Sequence, residues 1–199
     1  MLDFGMVLPI EFPRPISDEE IEALTALNPN LWFERTGEGE LIVSPPAGGE
    51  SSVRTVDLSR QLIEWNERAG AGIVFDAQAG FRLPDGALLS PDAAWLAKSR
   101  WEALDAKTRK KFLPLCPNLV FEVHSPSDYF GAAQLKIAAY VRNGASCAVL
   151  LDPERRKAAI HERSGNVQVL SNPASVRISV ALLPGAQADF ELDLRTIFA

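Results

Sequence analysis

NLVFEVHSPSD, residues Asn118 to Asp128, wraps four residues suited to the middle of a sheet, Leu119, Val120, Phe121 and Val123, around one carboxylate, Glu122, with His124 two places on. Alternation along a strand places Val120, Glu122 and His124 on one face and Leu119, Phe121 and Val123 on the other. The next segment, DYFGAAQLKIAAYVRNG, predicts a helix from Tyr129 to Asn143 stopped at Gly144, and SCAVLLD predicts a second apolar strand. A β-α-β order of this kind joins parallel strands, and neither strand has a polar face, as expected where layers cover both sides of a sheet. Glu122 therefore points into a covered layer. An ionised carboxylate is costly there unless a cation or hydrogen bonds compensate it, and a structural salt bridge is the plainest compensation.

A second carboxylate opens another reading. In LLSPDAAWLA, Asp92 follows Pro91 at the start of an apolar strand, and neighbouring strands lie only ~4.8 Å apart. Two facing carboxylates repel when alone but can share a divalent cation, and all-oxygen ligation suits magnesium or manganese. His124 offers a further ligand. On the helix after Glu122, Lys136 has Ala132, Ala133, Ala139 and Tyr140 at its i−4, i−3, i+3 and i+4 positions, so no acid on that helix pairs with it. If the helix packs across the sheet face, its ammonium meets the two carboxylates; otherwise it is a surface lysine laying its stem over small residues.

Elsewhere the chain is ordinary in composition, 199 residues with 47% hydrophobic and 23% charged, which suits a single globular domain. Ser17 with Glu20 signals a helix start before Ile21, Leu24 and Leu27, and LWFERTGEGELIVSPP predicts a β-hairpin around Gly37 to Gly39. The segment from Glu50 to Gly70 predicts the longest helix, with Val53, Val56, Leu62, Ile63 and Trp65 as its apolar face. Three strands are expected between Gly72 and Ala97, then a basic, helical connection, and short antiparallel strands with a terminal helical turn close the chain. The expected organisation is one domain over 1–199, with a helix and hairpin extension in 1–46, a catalytic core in 47–152 and C-terminal strands in 153–199.

The net charge of −6 by itself argues against a nucleic-acid partner, but the charge is unevenly distributed. Residues 1–50 hold ten acidic and two basic residues, whereas the remainder holds 18 basic and 16 acidic ones. Lys107, Lys110 and Lys111 belong to a basic stretch, Lys98 to Lys111, lying between the two carboxylates in sequence; it reads either as a phosphate contact or as a solvated helical face. Two cysteines, Cys116 and Cys147, form no CxxC pair and read as buried thiols. No apolar run approaches the ~20 residues a membrane span needs, and Met1 to Pro15 carries no basic cluster before its apolar piece, so the expected location is the cytoplasm. No GxSxG elbow accompanies Ser125, and SPPAGGE lacks the P-loop lysine, which disfavours serine hydrolysis and nucleotide binding.

In order along the chain, SPDAAWL, PNLVFEVHSPSD, the K…Y…NG helix and LLDPERRK resemble a restriction-endonuclease family of bacterial proteins, a branch of the PD-(D/E)xK nuclease superfamily. The resemblance covers most of the chain from about Trp32 and extends to FELDLRTIF. It implies a restriction endonuclease-like α/β fold, a mixed β-sheet flanked by helices, with Asp92 as the PD aspartate and Glu122 as the acid of the (D/E)xK element. The superfamily's usual lysine position holds His124 here, and in this branch the lysine comes from the following helix, as Lys136. Glu50 and Glu34 match further acidic positions. The implied activity is Mg-dependent hydrolysis of DNA phosphodiester bonds, leaving a 5′-phosphate, with magnesium held by Asp92, Glu122 and the Val123 carbonyl. A homodimer would suit the cutting of both strands of a duplex. The rival expectation is a nuclease-fold protein without useful catalysis that binds nucleic acid or regulates.

Overall fold

The computed structural model describes residues 10, 13–70, 72–125 and 130–199. Most of Met1 to Pro15, and Tyr129 at the expected start of the helix after Glu122, lie outside them. The central sheet has six strands in the order β10-β9-β8-β7-β6-β3. These are β3 (Gly72–Asp76), β6 (Ala93–Ala97), β7 (Leu119–Val123), β8 (Cys147–Asp152), β9 (Lys157–Glu162) and β10 (Val167–Ser171). Only β7 and β8 run parallel. Their crossover contains the helix α4 (Phe130–Arg142), as the apolar strands predicted, and Gly144, at φ 103°, supplies the left-handed residue that ends it.

The two sheet faces are covered by different helices. Leu119, Phe121 and Val123 pack with Leu58, Leu62 and Trp65 of α2 (Gly49–Ala69). Val120 packs on the opposite face with Ala133, Ile137 and Tyr140 of α4. Alternation along β7 thus holds, and Glu122 shares the α4 face. The antiparallel pairing of β6 with β7 matches Ala93 to Phe121 and Ala94 to Val120. One further step puts Asp92 opposite Glu122, on the same face.

The α2 helix corrects one expectation. Its buried residues are Leu58, Leu62, Trp65 and Ala69, while Val53, Val56 and Ile63 are exposed. The apolar spacing of the sequence mixes two stripes, one facing the sheet and one facing outward. Gly72, at the start of β3, is required by close approach: a Cβ there would collide with the Trp95 indole and the Leu96 carbonyl.

Between β3 and β6 the chain forms two strands of two residues each, β4 (Phe81–Arg82) and β5 (Leu88–Leu89), so Gly72 to Ala97 holds four strands rather than three. The short strands join the hairpin β1 (Trp32–Arg35) and β2 (Leu41–Ser44) in a second sheet of order β2-β1-β5-β4. Helix α1 (Asp18–Leu27) has the expected capping box between Ser17 and Glu20. The basic connection is not one helix. Helix α3 (Lys98–Glu102) is short, and Asp105 Oδ1 then accepts from Lys107 N–H and Thr108 N–H, both at 2.8 Å, in a turn that diverts the backbone. A last pair, β11 (Ser175–Ile178) and β12 (Phe190–Asp193), is antiparallel and contributes Phe190 and Leu192 to the α2 side of the core. At the C-terminus Phe198 N–H donates to Leu194 C=O at 2.8 Å, a closing turn.

The hairpin has two unlike faces. Trp32 pairs with Ser44 and Glu34 with Ile42, while Phe33 pairs with Val43 and Arg35 with Leu41. Leu41, Phe33 and Val43 pack with Ile21 and Leu88. Trp32, Glu34, Ile42 and Ser44 all line a cleft that runs to the end of the central sheet. Arg35 fixes the hairpin: its guanidinium meets Asp18 at 2.8 Å and donates to Gly86 C=O at 2.7 Å.

Candidate active site

The cleft, about 980 Å³, is bounded by the hairpin, α2, the start of β6, the end of β7 and α4. At its base stand Asp92, Glu122, Glu34 and Lys136. Lys136 Nζ lies 3.0 Å from Glu34 Oε1 and 3.0 Å from Glu122 Oε1, and donates to Ser90 C=O at 2.9 Å. Ser90 N–H donates back to Glu34 Oε1 at 2.7 Å. Ammonium, carboxylate and the backbone of Ser90 therefore close a ring immediately before the Pro91-Asp92 step. Asp92 Oδ2 accepts from Val123 N–H at 2.7 Å, binding the start of β6 to the end of β7.

The electrostatics follow from burial and charge count. Burial pushes Glu122 well above the usual glutamate range; Asp92 and Glu34 push the same way, and the Lys136 ammonium opposes them. Burial alone would lower Lys136, but Glu122, Glu34 and Asp92 outweigh it and hold the lysine above its ordinary value, charged throughout the physiological range. Glu122 Oε1 is 3.0 Å from Lys136 Nζ, an ion pair, and among the described residues no other donor reaches this buried oxygen. Three acids around one ammonium leave negative charge in excess, an arrangement that favours an added cation or proton. Among the described residues no three acids, histidines or cysteines converge as a ready ligand set. A hexahydrated-type ion such as Mg²⁺ needs only one or two carboxylates and keeps several waters, so the oxygen donors Asp92 and Glu122 fit it.

Val123 lines the cleft beside Glu122. His124 is buried just past β7, its backbone N–H donating to Leu151 C=O at 2.8 Å, and is not a lining residue. Glu50, at the start of α2, has a side chain 86% exposed and meets Arg54 at 3.5 Å, outside the lining residues. Lys107, Lys110 and Lys111 are exposed and also outside the lining. Cys116 and Cys147 are buried free thiols, both pushed up to about 12 by burial. No helix among the described residues is long and apolar enough to cross a membrane.

Two contributors escaped the sequence reading. Ser90 acts through its backbone, which no side-chain pattern reveals. Trp32 stands on the cleft face of β1 with Glu34, a position that alternation along WFER would have shown had the hairpin's outer face been read as a site.

The fold is a mixed α/β arrangement with a restriction endonuclease-like core. The chain belongs to the family described as "Uma2: Putative restriction endonuclease", whose model matches residues 18–194. Among solved structures it is similar to one titled a "putative nuclease belonging to DUF820" from Anabaena variabilis ATCC 29413. That similarity has a TM-score of 0.68 at 16% identity and covers 83% of this chain and 89% of the other. No curated protein matches the chain.

Proposed function

We propose that the protein is a metal-dependent endodeoxyribonuclease with a PD-(D/E)xK-type site. The observation that carries this reading is the gathering of buried Glu122 with half-buried Asp92 and Lys136 at the base of an open cleft, in a chain of this family. Asp92 and Glu122, with the Val123 carbonyl, would hold magnesium, with manganese as a substitute. Bound there, the ion supplies an acidified water and polarises a phosphoryl oxygen. Lys136, held charged by Glu122 and Glu34, contributes a fixed cation for the negative charge that develops at the reacting phosphate. Glu34 and the Ser90 peptide orient that ammonium. Lys107, Lys110 and Lys111, exposed outside the cleft, are available to phosphates flanking the cut.

A second reading is a nucleic-acid-binding module without cleavage, favoured by the engagement of Lys136 with two carboxylates and a carbonyl at once. Incubating purified protein with supercoiled and single-stranded DNA, in Mg²⁺, Mn²⁺ or EDTA, separates the two. Nicking or fragmentation with either metal and none in EDTA is expected; binding with no cleavage in either metal would establish the module instead.

A further inference from the structure

The walls of the cleft do not resemble a track for a duplex. Its lining carries Glu34, Glu64, Glu67, Asp76, Asp92 and Glu122 against two cations, Arg60 and Lys136. Both cations are already engaged: Arg60 meets Asp57 at 2.8 Å and Glu64 at 2.7 Å, and Lys136 is held as described. A duplex buries its base faces and has nothing to stack on an apolar wall, whereas an unpaired strand exposes them. The cleft supplies few free basic contacts to either.

It offers apolar surface instead. Trp32 is 39% exposed, and Val56 and Ile63 on α2 are 66% and 46% exposed. All three line the cleft, with Ile42 beside Glu34 on the hairpin face. Two residues of the outward stripe of α2 thus reach the cleft. Trp32 and Glu34 are two residues apart on one strand face, so the indole stands about 7 Å along β1 from the carboxylate that holds Lys136. Exposed apolar side chains in a cleft that ends at a charged centre suit a ligand with both an apolar face and a phosphate, and an unpaired nucleotide is such a ligand.

Resting on the nuclease reading above, we infer that the cleft takes an unpaired nucleic-acid strand, one base seated against Trp32 between the hairpin and α2, with its neighbouring phosphate at Asp92, Glu122 and Lys136. The specificity is then for single-stranded or gapped DNA over continuous duplex, and Trp32 determines it.

The test compares a labelled single strand, a blunt duplex of the same sequence and the same duplex with a short gap, in Mg²⁺ and Mn²⁺, for the wild type, Trp32→Ala and Trp32→Phe. Single-strand affinity is measured by anisotropy in parallel. The single strand and the gap are expected to be cut at least about tenfold faster than the blunt duplex, and Trp32→Ala to weaken single-strand binding about tenfold, with most of it kept by Trp32→Phe. Equal or faster cutting of the blunt duplex, or unchanged single-strand affinity in Trp32→Ala, overturns the inference and leaves the nuclease reading standing. Failure to bind or cut any of the three DNAs overturns both.

Discussion

The backbone N–H of Val123 donates to Asp92 Oδ2 at 2.7 Å, so the carboxylate at the head of β6 is oriented by the peptide that follows Glu122. One acid is aimed by the strand that carries the other. Asp92→Asn keeps an oxygen acceptor for that N–H while removing charge, and it should abolish metal-dependent cleavage without unfolding the protein. Cleavage assays and a thermal melt on the same preparation check both halves.

Glu122→Gln should also abolish cleavage, and its effect on stability carries a pH signature. Burial, with Asp92 and Glu34, raises Glu122 in the folded state well above its ordinary value of 4.5. A carboxyl raised on folding gives stability that is full below the unfolded value and is lost as pH rises through the folded one. In EDTA the wild type should therefore lose stability relative to Glu122→Gln as pH increases above about 4.5, the variant melting at the same or a higher temperature at pH 7. A variant much less stable than wild type at pH 7 would show Glu122 to be one half of a structural salt bridge.

Lys136→Met should lower the single-turnover rate by about 100-fold or more, the usual loss on removing one donor to developing charge. His124→Ala should be far milder, since His124 is buried past β7 and does not line the cleft. Lys136→Met should also destabilise the fold by about 3–5 kcal/mol, because it strips the cation from buried Glu34 and Glu122. Adding Glu34→Gln should recover part of that loss. Rates at saturating metal and urea melts of the single and double variants decide it; a dead His124→Ala beside an active Lys136→Met would move the site to the histidine.

Replacing Lys107, Lys110 and Lys111 with Gln should weaken DNA binding and flatten its salt dependence, the slope falling by about 1 for each lysine that meets a phosphate. Cleavage at saturating DNA should be unchanged, since none of the three lines the cleft. A salt titration of binding for both proteins is the measurement, and an identical slope assigns the stretch to solvent.

Asn118, buried at the entry to β7, accepts Ala97 N–H on its Oδ1 at 3.0 Å. Asn118→Ala leaves that buried donor without its acceptor and should cost about 1–3 kcal/mol, read by denaturant unfolding.

The sequence and the structure agree where one period governs. Alternation placed Glu122 opposite the face of Leu119 and Phe121, and the strand-helix-strand order brought Lys136 over it, because both follow from burial on a fixed repeat. Val56 and Ile63 were misread for the same reason: apolar spacing identifies a face that avoids water, and a cleft wall satisfies it as well as a core does. The stretch Lys98 to Lys111 reads as one helix from its sequence, but Asp105 captures two backbone N–H groups and breaks it. Two-residue strands such as β4 and β5 are too short to show any period, and the Ser90 peptide, which holds Lys136, has no side-chain signature at all.

The two-faced hairpin restricts how the length of this chain can vary. A single residue gained or lost inside β1, unless taken up as a bulge, would exchange the roles of successive positions and carry Glu34 off the face that reaches Lys136. Two residues would restore the parity but slide Glu34 by about 7 Å along the strand, out of reach of Lys136. Insertions are better absorbed between Thr36 and Glu40, where Thr36 N–H and Glu40 C=O close the loop at 2.9 Å and no residue lines the cleft. A graft, tag or loop exchange in this half of the protein belongs at that turn.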